Sequence, residues 1–263
     1  MPYLIIIAVL VIYYFLTKPN HQAKERFKTF QNIAYAHRGL HDLDKPENTL
    51  LAFQNAINKN YGVELDVQIT KDHKIVVFHD YDLLRAANKD LMIDQLTYLE
   101  LNNYSIFNSA EKIPLLEDVL KLINGKVPLI IEIKQKGADC LTTRLTAELL
   151  KSYQGKYCIE SFNPMALNWY RKNHPEIVRG QLATKLKKED ATLLLRLTLT
   201  RLLMNFLSRP DFVAYEHYHL NHLRVKVQRY LYQVPIVTWT VDDISIYNQL
   251  KSNNTIIFEN FLV

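Results

Sequence analysis

The sequence is poor in cysteine, with only Cys140 and Cys158 among its 263 residues. These two have neither the spacing of a metal site nor a histidine partner in the sequence, so no disulfide or zinc site is predicted. We interpret both as small, buried, apolar residues. The sequence also contains no internal repeat and no low-complexity stretch.

A strong charge excess is lacking as well. The 32 basic and 27 acidic residues leave a net charge of +5, and the pI is near 9.0. Basic residues are not interleaved with aromatic ones, so we expect no nucleic-acid partner. The mild positive balance favours anionic surfaces or substrates.

Residues 1–17 contain no charged side chain. At about 1.5 Å per residue, a helix of this segment reaches about 26 Å, enough for a thin bilayer. A secretory signal would carry positive charge before the apolar run and a small-residue cleavage site after it, and neither is present. We therefore predict an uncleaved, single-pass transmembrane helix in the cell membrane. A buried N-terminal helix is the alternative, although it would need a polar face.

Four basic residues follow this segment and none precedes it, namely Lys18, Lys24, Arg26 and Lys28. The positive-inside rule then places the rest of the chain in the cytoplasm. Residues 18–32 are polar and basic and predict a tether between membrane and folded domain. Residues 33–263 are long enough for one large domain with its own core.

The stretch 62–80 organises this domain. Alternation in residues 63–67 puts Glu64 and Asp66 on one face of a strand. Taken alone, that face would point to solvent. However, the apolar runs 33–36 and 75–78 end in His37 and His79, and the run 128–131 is followed by charged residues. Four strands with polar residues at their carboxyl ends are typical of an α/β (βα)8 TIM barrel.

The order and spacing of several motifs resemble the glycerophosphodiester phosphodiesterase family, as a membrane-anchored bacterial-type member. The motifs are His37-Arg38-Gly39, Pro46-Glu47-Asn48-Thr49, Glu64-x-Asp66, Thr70-Lys71-Asp72, His79-Asp80, Glu132-x-Lys134, Ser161-Phe162-Asn163-Pro164 and Val237-Thr238-Trp239-Thr240. One departure is Phe258-Glu259-Asn260-Phe261, where the family usually has an Asp-x-Pro-like segment. The resemblance covers about residues 33–260 and implies a barrel enzyme over residues 33–263.

The carboxylates of Glu64, Asp66 and Glu132 are hard oxygen donors, which suit one divalent cation, Mg²⁺ or Ca²⁺, rather than zinc. The resemblance implies that His37 and His79 form the general acid-base pair. Arg38 and Lys134 have the charge to bind phosphate oxygens. Two further substrate contacts are weaker: Glu47 could instead bridge to Arg38, and Trp239 could instead be a core residue.

The resemblance predicts hydrolysis of glycerophosphodiesters to glycerol 3-phosphate and an alcohol. The predicted anchor makes a second activity reasonable, that of a lysophospholipase D acting on membrane lysophospholipids. A catalytically silent, membrane-bound binding barrel is the third alternative. The sequence leaves the oligomeric state open.

The remaining pattern predicts alternating elements. Helices are expected at 50–57, with Thr49 as N-cap, and at 115–124, 142–152 and 165–173; strands are expected at 157–161, 178–182, 212–215 and 236–240, the last as the eighth. Residues 81–112 form an insertion expected to overhang the site. A Leu-rich helix is predicted at 193–208. It either packs in the core or leans on the bilayer, with Arg196 and Arg201 toward lipid phosphates.

Overall fold

Eight parallel strands close into a TIM-like (βα)8 barrel in this computed structural model, which describes residues 2–185 and 198–263. The first strand pairs with both the second and the last, and this double pairing closes the barrel. The barrel strands are β1 (Ala34–Ala36), β2 (Gly62–Ile69), β6 (Leu129–Ile133), β7 (Tyr157–Ser161), β8 (Arg179–Ala183), β9 (Phe212–Glu216), β10 (Ile236–Val241) and β11 (Thr255–Phe258).

The strand β3 (Ile75–Val77) corrects one expectation, because it is not a barrel strand. It pairs antiparallel with β2, with Val67 opposite Val77. The chain reverses in a short turn at Thr70, where the backbone amide donates to the carbonyl of Lys74. A parallel return needs a crossover of a dozen residues or more, which this turn cannot supply. The eighth barrel strand is therefore β11, and the predicted strand at 236–240 is the seventh.

Helices cover the outside of the barrel. Thr49 caps α3 by accepting from the amide of Ala52, as the sequence predicts. Gly39 lies at φ 79, and a Cβ there would come within 2.9 Å of Ala52 and Phe53, so only glycine lets this loop pack on α3. The described helices are α1 (Pro2–Thr17), α2 (Ala23–Phe27), α3 (Leu50–Asn58), α4 (Leu84–Ala87), α5 (Tyr98–Leu101), α6 (Leu116–Ile123), α7 (Leu141–Leu150), α8 (Pro164–Asn173), α9 (Asn205–Ser208), α10 (Leu223–Lys226) and α11 (Ile244–Leu250).

The insertion after β3 forms a small lobe of its own. A two-stranded antiparallel sheet, β4 (Asp82–Leu83) and β5 (Lys89–Met92), packs with α4 and α5 over an apolar cluster. Thr97 and Glu100 form a capping box at the start of α5. Arg85 of this lobe reaches the mouth of the barrel, where it contacts Glu47 and Asp80. The insertion thus borders the site.

Residues 18–32, for which composition predicts a tether, instead pack against the barrel. Phe27 and Phe30 are buried and join the cluster inside the barrel that includes Tyr35 and Phe212. The aromatic rings of Phe27 and Phe212 have their centroids 4.6 Å apart. Because Phe212 is the first residue of β9, the segment closes the amino end of the barrel. The composition of the segment did not predict this packing, because the two buried phenylalanines are surrounded by polar residues in the sequence.

The helix α1 exposes most of its apolar side chains, with Tyr3 78% and Leu10 61% exposed. Its carboxyl end is fixed to the barrel, since the carbonyl of Thr17 accepts from Asn205 and Gln228. Within the described residues, no helix combines the length and apolar character needed to cross a membrane. The predicted transmembrane helix is therefore not found there; α1 has 16 residues.

The helix predicted at 193–208 falls partly, at 193–197 and including Arg196, outside the described residues. In the described part, the helical conformation is interrupted at residues 201–204, where Leu202 adopts φ 59. α9 begins only after this turn. Both cysteines are buried and free, in agreement with the sequence.

Candidate active site

Three acidic side chains converge at the carboxyl ends of the barrel strands. Asp66 of β2 lies directly beside Glu132 of β6 in the parallel register, and Glu64 precedes Asp66 on the same face. Carboxylate oxygens of the three residues lie within 4.8 Å of one another, and all three side chains are buried. The alternation in β2 therefore turns its acids into the barrel, because the opposite face is covered by helices.

Burial and mutual repulsion make it unfavourable for all the carboxyl groups of this cluster to be ionised together. Burial, together with the neighbouring carboxylates, raises the pKa of Glu64 well above its usual range, and burial also raises the pKa of Glu132. Burial opposes ionisation of Asp66, but the ammonium of Lys134 holds its pKa well below the usual range. Lys134 Nζ lies 3.1 Å from Asp66 Oδ1 and 2.9 Å from Glu132 Oε1.

These residues fit a divalent metal ion. The donor set consists of carboxylate oxygens only, which hard cations such as Mg²⁺ and Ca²⁺ prefer. The Lys134 ammonium and the Arg38 guanidinium offset the buried acids incompletely. A fourth carboxyl, Glu160, is also buried beside them, with its pKa raised by burial and by Glu132. A cation between Glu64, Asp66 and Glu132 would relieve this repulsion.

Arg38 lies over the cluster in an unusual backbone conformation, with φ 53. Its amide donates to Glu64 Oε2 at 3.0 Å, and its guanidinium donates to Glu47 Oε1 at 2.7 Å. Glu47 also accepts two hydrogen bonds from Arg85. Glu47 is thus the bridge to Arg38 that the sequence left as an alternative to substrate contact. It holds the guanidinium 3.5 Å from Asp66 Oδ2.

His37 follows β1 and lies beside the acids, with Nε2 3.9 Å from Glu64 Oε2. Its Nδ1 is 2.7 Å from Glu259 Oε2. The hydrogen bond from His37 keeps the pKa of Glu259 well below its usual range, so this carboxylate only accepts and Nδ1 must donate. Burial lowers the pKa of His37. The neutral ring then presents an unprotonated Nε2.

His79 is held in the same way. Its Nδ1 lies 2.6 Å from Asp80 Oδ1, and Asp80 is in turn bound by Arg85 Nε at 2.6 Å. Burial opposes ionisation of Asp80, but its hydrogen bonds from His79 and Arg85 hold its pKa well below the usual range. Both histidines therefore have a carboxylate at Nδ1. This leaves Nε2 of each ring as the atom available for proton transfer.

Trp239 lies near the carboxyl end of β10, where it packs against the apolar cluster inside the barrel. Its ring meets Phe162 edge to face, with centroids 5.9 Å apart. The indole Nε1 is buried without a hydrogen-bond partner among the described residues. Trp239 therefore packs along the wall of the barrel interior, and its indole N–H donates no hydrogen bond to another described residue.

Sequence reasoning missed several members of this site. Glu259 follows β11 directly, as His37 follows β1, and this position after a barrel strand was the available signal. His41 is another missed member, with its Nε2 3.6 Å from Glu259 Oε2. Asp80 and Arg85 were not assigned roles. The sequence predicts that the insertion 81–112 lies over the site, but no pattern within it indicates that Arg85 is the residue that contacts Glu47 and Asp80.

Comparison with known proteins agrees with this geometry. Residues 37–262 match the model of the glycerophosphoryl diester phosphodiesterase family. The chain belongs to this family. Family membership covers every residue of the site described above and leaves out the N-terminal helix α1.

Among family relatives, a glycerophosphodiester phosphodiesterase of Bacillus altitudinis is 39% identical over 40% of this chain and 45% of its own length. One of Caldanaerobacter subterraneus is 31% identical over 58% of this chain and 67% of its own. A human lysophospholipase D is 33% identical over 52% of this chain and 46% of its own. The chain spans about half the length of the first and the last of these relatives.

Solved structures share the barrel. A glycerophosphodiester phosphodiesterase of Thermotoga maritima is 26% identical, with a TM-score of 0.67 over 86% of this chain and 93% of that chain. A phosphodiesterase of Oleispira antarctica, solved with the product sn-glycerol 3-phosphate, is 23% identical, with a TM-score of 0.72 over 88% of this chain and 94% of that chain.

Proposed function

We propose that this protein is a metal-dependent phosphodiesterase that hydrolyses glycerophosphodiesters to glycerol 3-phosphate and an alcohol. The observation that carries the proposal is the buried cluster of Glu64, Asp66 and Glu132 beside two histidines whose Nδ1 atoms are bound to carboxylates. The bacterial relatives named glycerophosphodiester phosphodiesterase support the same activity.

A phosphodiester repels nucleophiles through its anionic oxygens, so its hydrolysis requires charge neutralisation. Glu64, Asp66 and Glu132 would hold one divalent cation, Mg²⁺ or Ca²⁺, which when bound supplies Lewis-acid chemistry. The Arg38 guanidinium offers a planar pair of donors for phosphate oxygens. Lys134 keeps Asp66 ionised and adds a positive charge beside the phosphate.

The reaction also requires two proton transfers, one from the attacking hydroxyl and one to the leaving oxygen. We assign them to Nε2 of His37 and Nε2 of His79. Glu259 and Asp80 fix the tautomer of the two rings by accepting from Nδ1–H. The attacking hydroxyl belongs either to water or to the substrate itself, in which case a cyclic phosphodiester forms first.

A lysophospholipase D activity is the second candidate. The exposed apolar side chains of α1 favour it, because they would bring the barrel to a lipid surface. A human relative carries this name. A catalytically silent binding barrel is disfavoured, because the acids, the histidines and the basic residues Arg38 and Lys134 are all present.

Comparison of two substrates tests both activities. We expect release of choline from glycerophosphocholine to exceed release from lysophosphatidylcholine, and EDTA to abolish it until Mg²⁺ or Ca²⁺ is added. Preference for the lysolipid would instead support the second candidate. Turnover of neither substrate with either cation would contradict both.

We further propose that α1 holds the barrel at the cytoplasmic face of the cell membrane. Ile6 and Leu10 are 56% and 61% exposed, so lysine at both positions leaves the barrel unchanged and should release the protein from membrane fractions. The matched control places lysine at Leu43 and Leu99, which lie outside α1 and are 99% and 78% exposed. Digestion of the barrel by protease added to intact spheroplasts would contradict the cytoplasmic orientation and place the barrel outside the membrane.

A further inference from the structure

A cavity of about 540 Å³ lies at the opposite end of the molecule from the acidic cluster. It is formed by the segment after α1, the end of α8, the first residue of β8 and the turn before β9, all at the amino ends of barrel strands. Five cationic side chains line it: Lys18, Arg26, Arg171, Arg179 and Arg209. We call it the basal cavity.

The positive charge of the basal cavity is only partly balanced. Asp211 is fully buried and is paired with Arg26 at 2.8 Å and with Arg179 at 3.8 Å. Asn20 donates to the same carboxylate at 2.7 Å. For Arg171 and Arg209, the structure shows no carboxylate partner within the described parts of the chain. The cavity therefore carries unpaired guanidinium groups.

These guanidinium groups are also held in place by the backbone. Arg171 Nη1 donates to the carbonyls of Phe206 and Leu207, at 3.1 and 2.9 Å. Arg209 Nη1 donates to the carbonyl of Lys18 at 2.9 Å. Each of these bonds uses one nitrogen of the group, so the remaining N–H donors face the cavity or solvent. The donors are thus positioned before any ligand arrives.

The like charges of this arrangement carry an electrostatic cost that a bound anion would relieve. Burial, followed by the neighbouring charge of Arg171, lowers the pKa of Arg209. The bonds to backbone carbonyls hold Arg171 and Arg209 in position, but they do not require several guanidinium groups around one open space. Carbonyl oxygens alone leave the repulsion between like charges in place.

We infer that the basal cavity binds a phosphate group, either of a soluble phosphate compound or of an anionic phospholipid headgroup. The planar guanidinium matches phosphate oxygens in pairs, which favours phosphate over a simple halide. The volume is in the range of small-ligand sites and admits a phosphate with a substituent. The site is distinct from the proposed catalytic site, which lies at the carboxyl ends of the strands.

Calorimetric titration of the full chain with inorganic phosphate tests the inference, at about 0.15 M salt so that distant charges are screened. The double variant Arg171→Gln/Arg209→Gln removes the two unpaired groups. Arg144→Gln/Lys172→Gln removes the same charge from exposed positions outside the cavity. We expect the cavity variant to lose one binding event or to bind at least about tenfold more weakly, and the control to match the parent chain.

Flotation with vesicles separates the two sources of phosphate. If a lipid headgroup is the ligand, phosphatidylglycerol vesicles should retain the parent chain and the control better than the cavity variant, whereas phosphatidylcholine vesicles should retain all three equally. If the ligand is soluble, only the calorimetric difference should appear. Equal phosphate affinity of the cavity variant and the control would overturn the inference.

Activity on soluble glycerophosphocholine reports folding of these variants independently of the cavity. We expect it to be unchanged, because neither arginine is near the proposed catalytic groups. The single variant Arg171→Gln, at an exposed position, replaces the double variant if that protein does not fold. A single variant that binds phosphate as tightly as the control would overturn the inference equally. Binding is measured without turnover, so an inactive protein tests the cavity as well as an active one.

Discussion

The charge of Lys134 can be tested by stability, because a second lysine two residues away provides a matched control. Lys134 is 9% exposed and binds two buried carboxylates, of Asp66 and Glu132. Lys136 is 46% exposed and binds one exposed carboxylate, of Asp94, at 2.6 Å. Replacement of either lysine by methionine keeps a similar length and removes one positive charge.

The expected magnitudes differ widely. Removal of one partner from a buried ion pair typically costs 3–5 kcal/mol, or roughly 10 °C in melting temperature for a chain of this size. Loss of an exposed pair costs about 0–1 kcal/mol. Without Lys134, Asp66 and Glu132 would also repel each other more strongly. We therefore expect Lys134→Met to respond to Mg²⁺ or Ca²⁺ with a larger rise in stability than the parent chain shows.

Urea unfolding of the parent chain and both variants, in EDTA and then in excess divalent cation, provides the measurement. The free energy of unfolding should fall by about 3–5 kcal/mol for Lys134→Met in EDTA and should recover in part with the cation. Lys136→Met should stay within about 1 kcal/mol of the parent chain under both conditions. Equal losses in the two variants, or a loss in Lys134→Met that the cation leaves unchanged, would refute the assigned charge balance.

Four further predictions concern catalysis, metal binding and stability in acid. His37→Ala and His79→Ala should each lower kcat about 10²-fold or more, and a nitrophenyl ester, whose leaving group needs no proton, should rescue only the variant that lacks the general acid. Glu64→Gln and Asp66→Asn should each weaken Mg²⁺ or Ca²⁺ affinity in calorimetry; unchanged affinity in either variant excludes that residue as a ligand. Glu259→Gln should lower kcat about 10²-fold with metal affinity retained, because the tautomer of His37 is no longer fixed. The pKa of Glu259 is lower in the folded chain than its ordinary value near 4.5, so the ionised carboxylate stabilises the fold at pH values above 4.5. This contribution decreases as the pH falls below 4.5 and is lost once the pH passes the lowered pKa. The melting temperature of Glu259→Gln should therefore fall less steeply in acid than that of the parent chain.

Local patterns in the sequence were sufficient for much of the fold. The alternation around Glu64 and Asp66 depends only on the two-residue period of a strand, and Thr49 needs only its own turn to cap α3. The sequence alone was therefore sufficient to propose the three acids as metal ligands. Their convergence was expected because a parallel barrel brings the carboxyl ends of its strands together. The sequence also predicted that the two cysteines are buried and free.

Other features depended on contacts between distant segments. The pairing of β1 with β11 brings Glu259 to His37 across 222 positions of the sequence, and no local pattern encodes it. The run 75–78 has the composition of a barrel strand, but its short turn at Thr70 makes it a hairpin partner of β2.

The sequence alone thus determined which residues line one face of each strand, and from these the acids, the histidines and the barrel class. The tertiary structure alone decided which faces turn inward and which carboxylate lies behind each histidine. It also decided that Phe27 and Phe30 close the amino end of the barrel instead of forming part of a tether. The physical reason is that side-chain periodicity is a property of a few neighbouring residues, whereas burial and charge pairing arise only when the parallel sheet closes on itself.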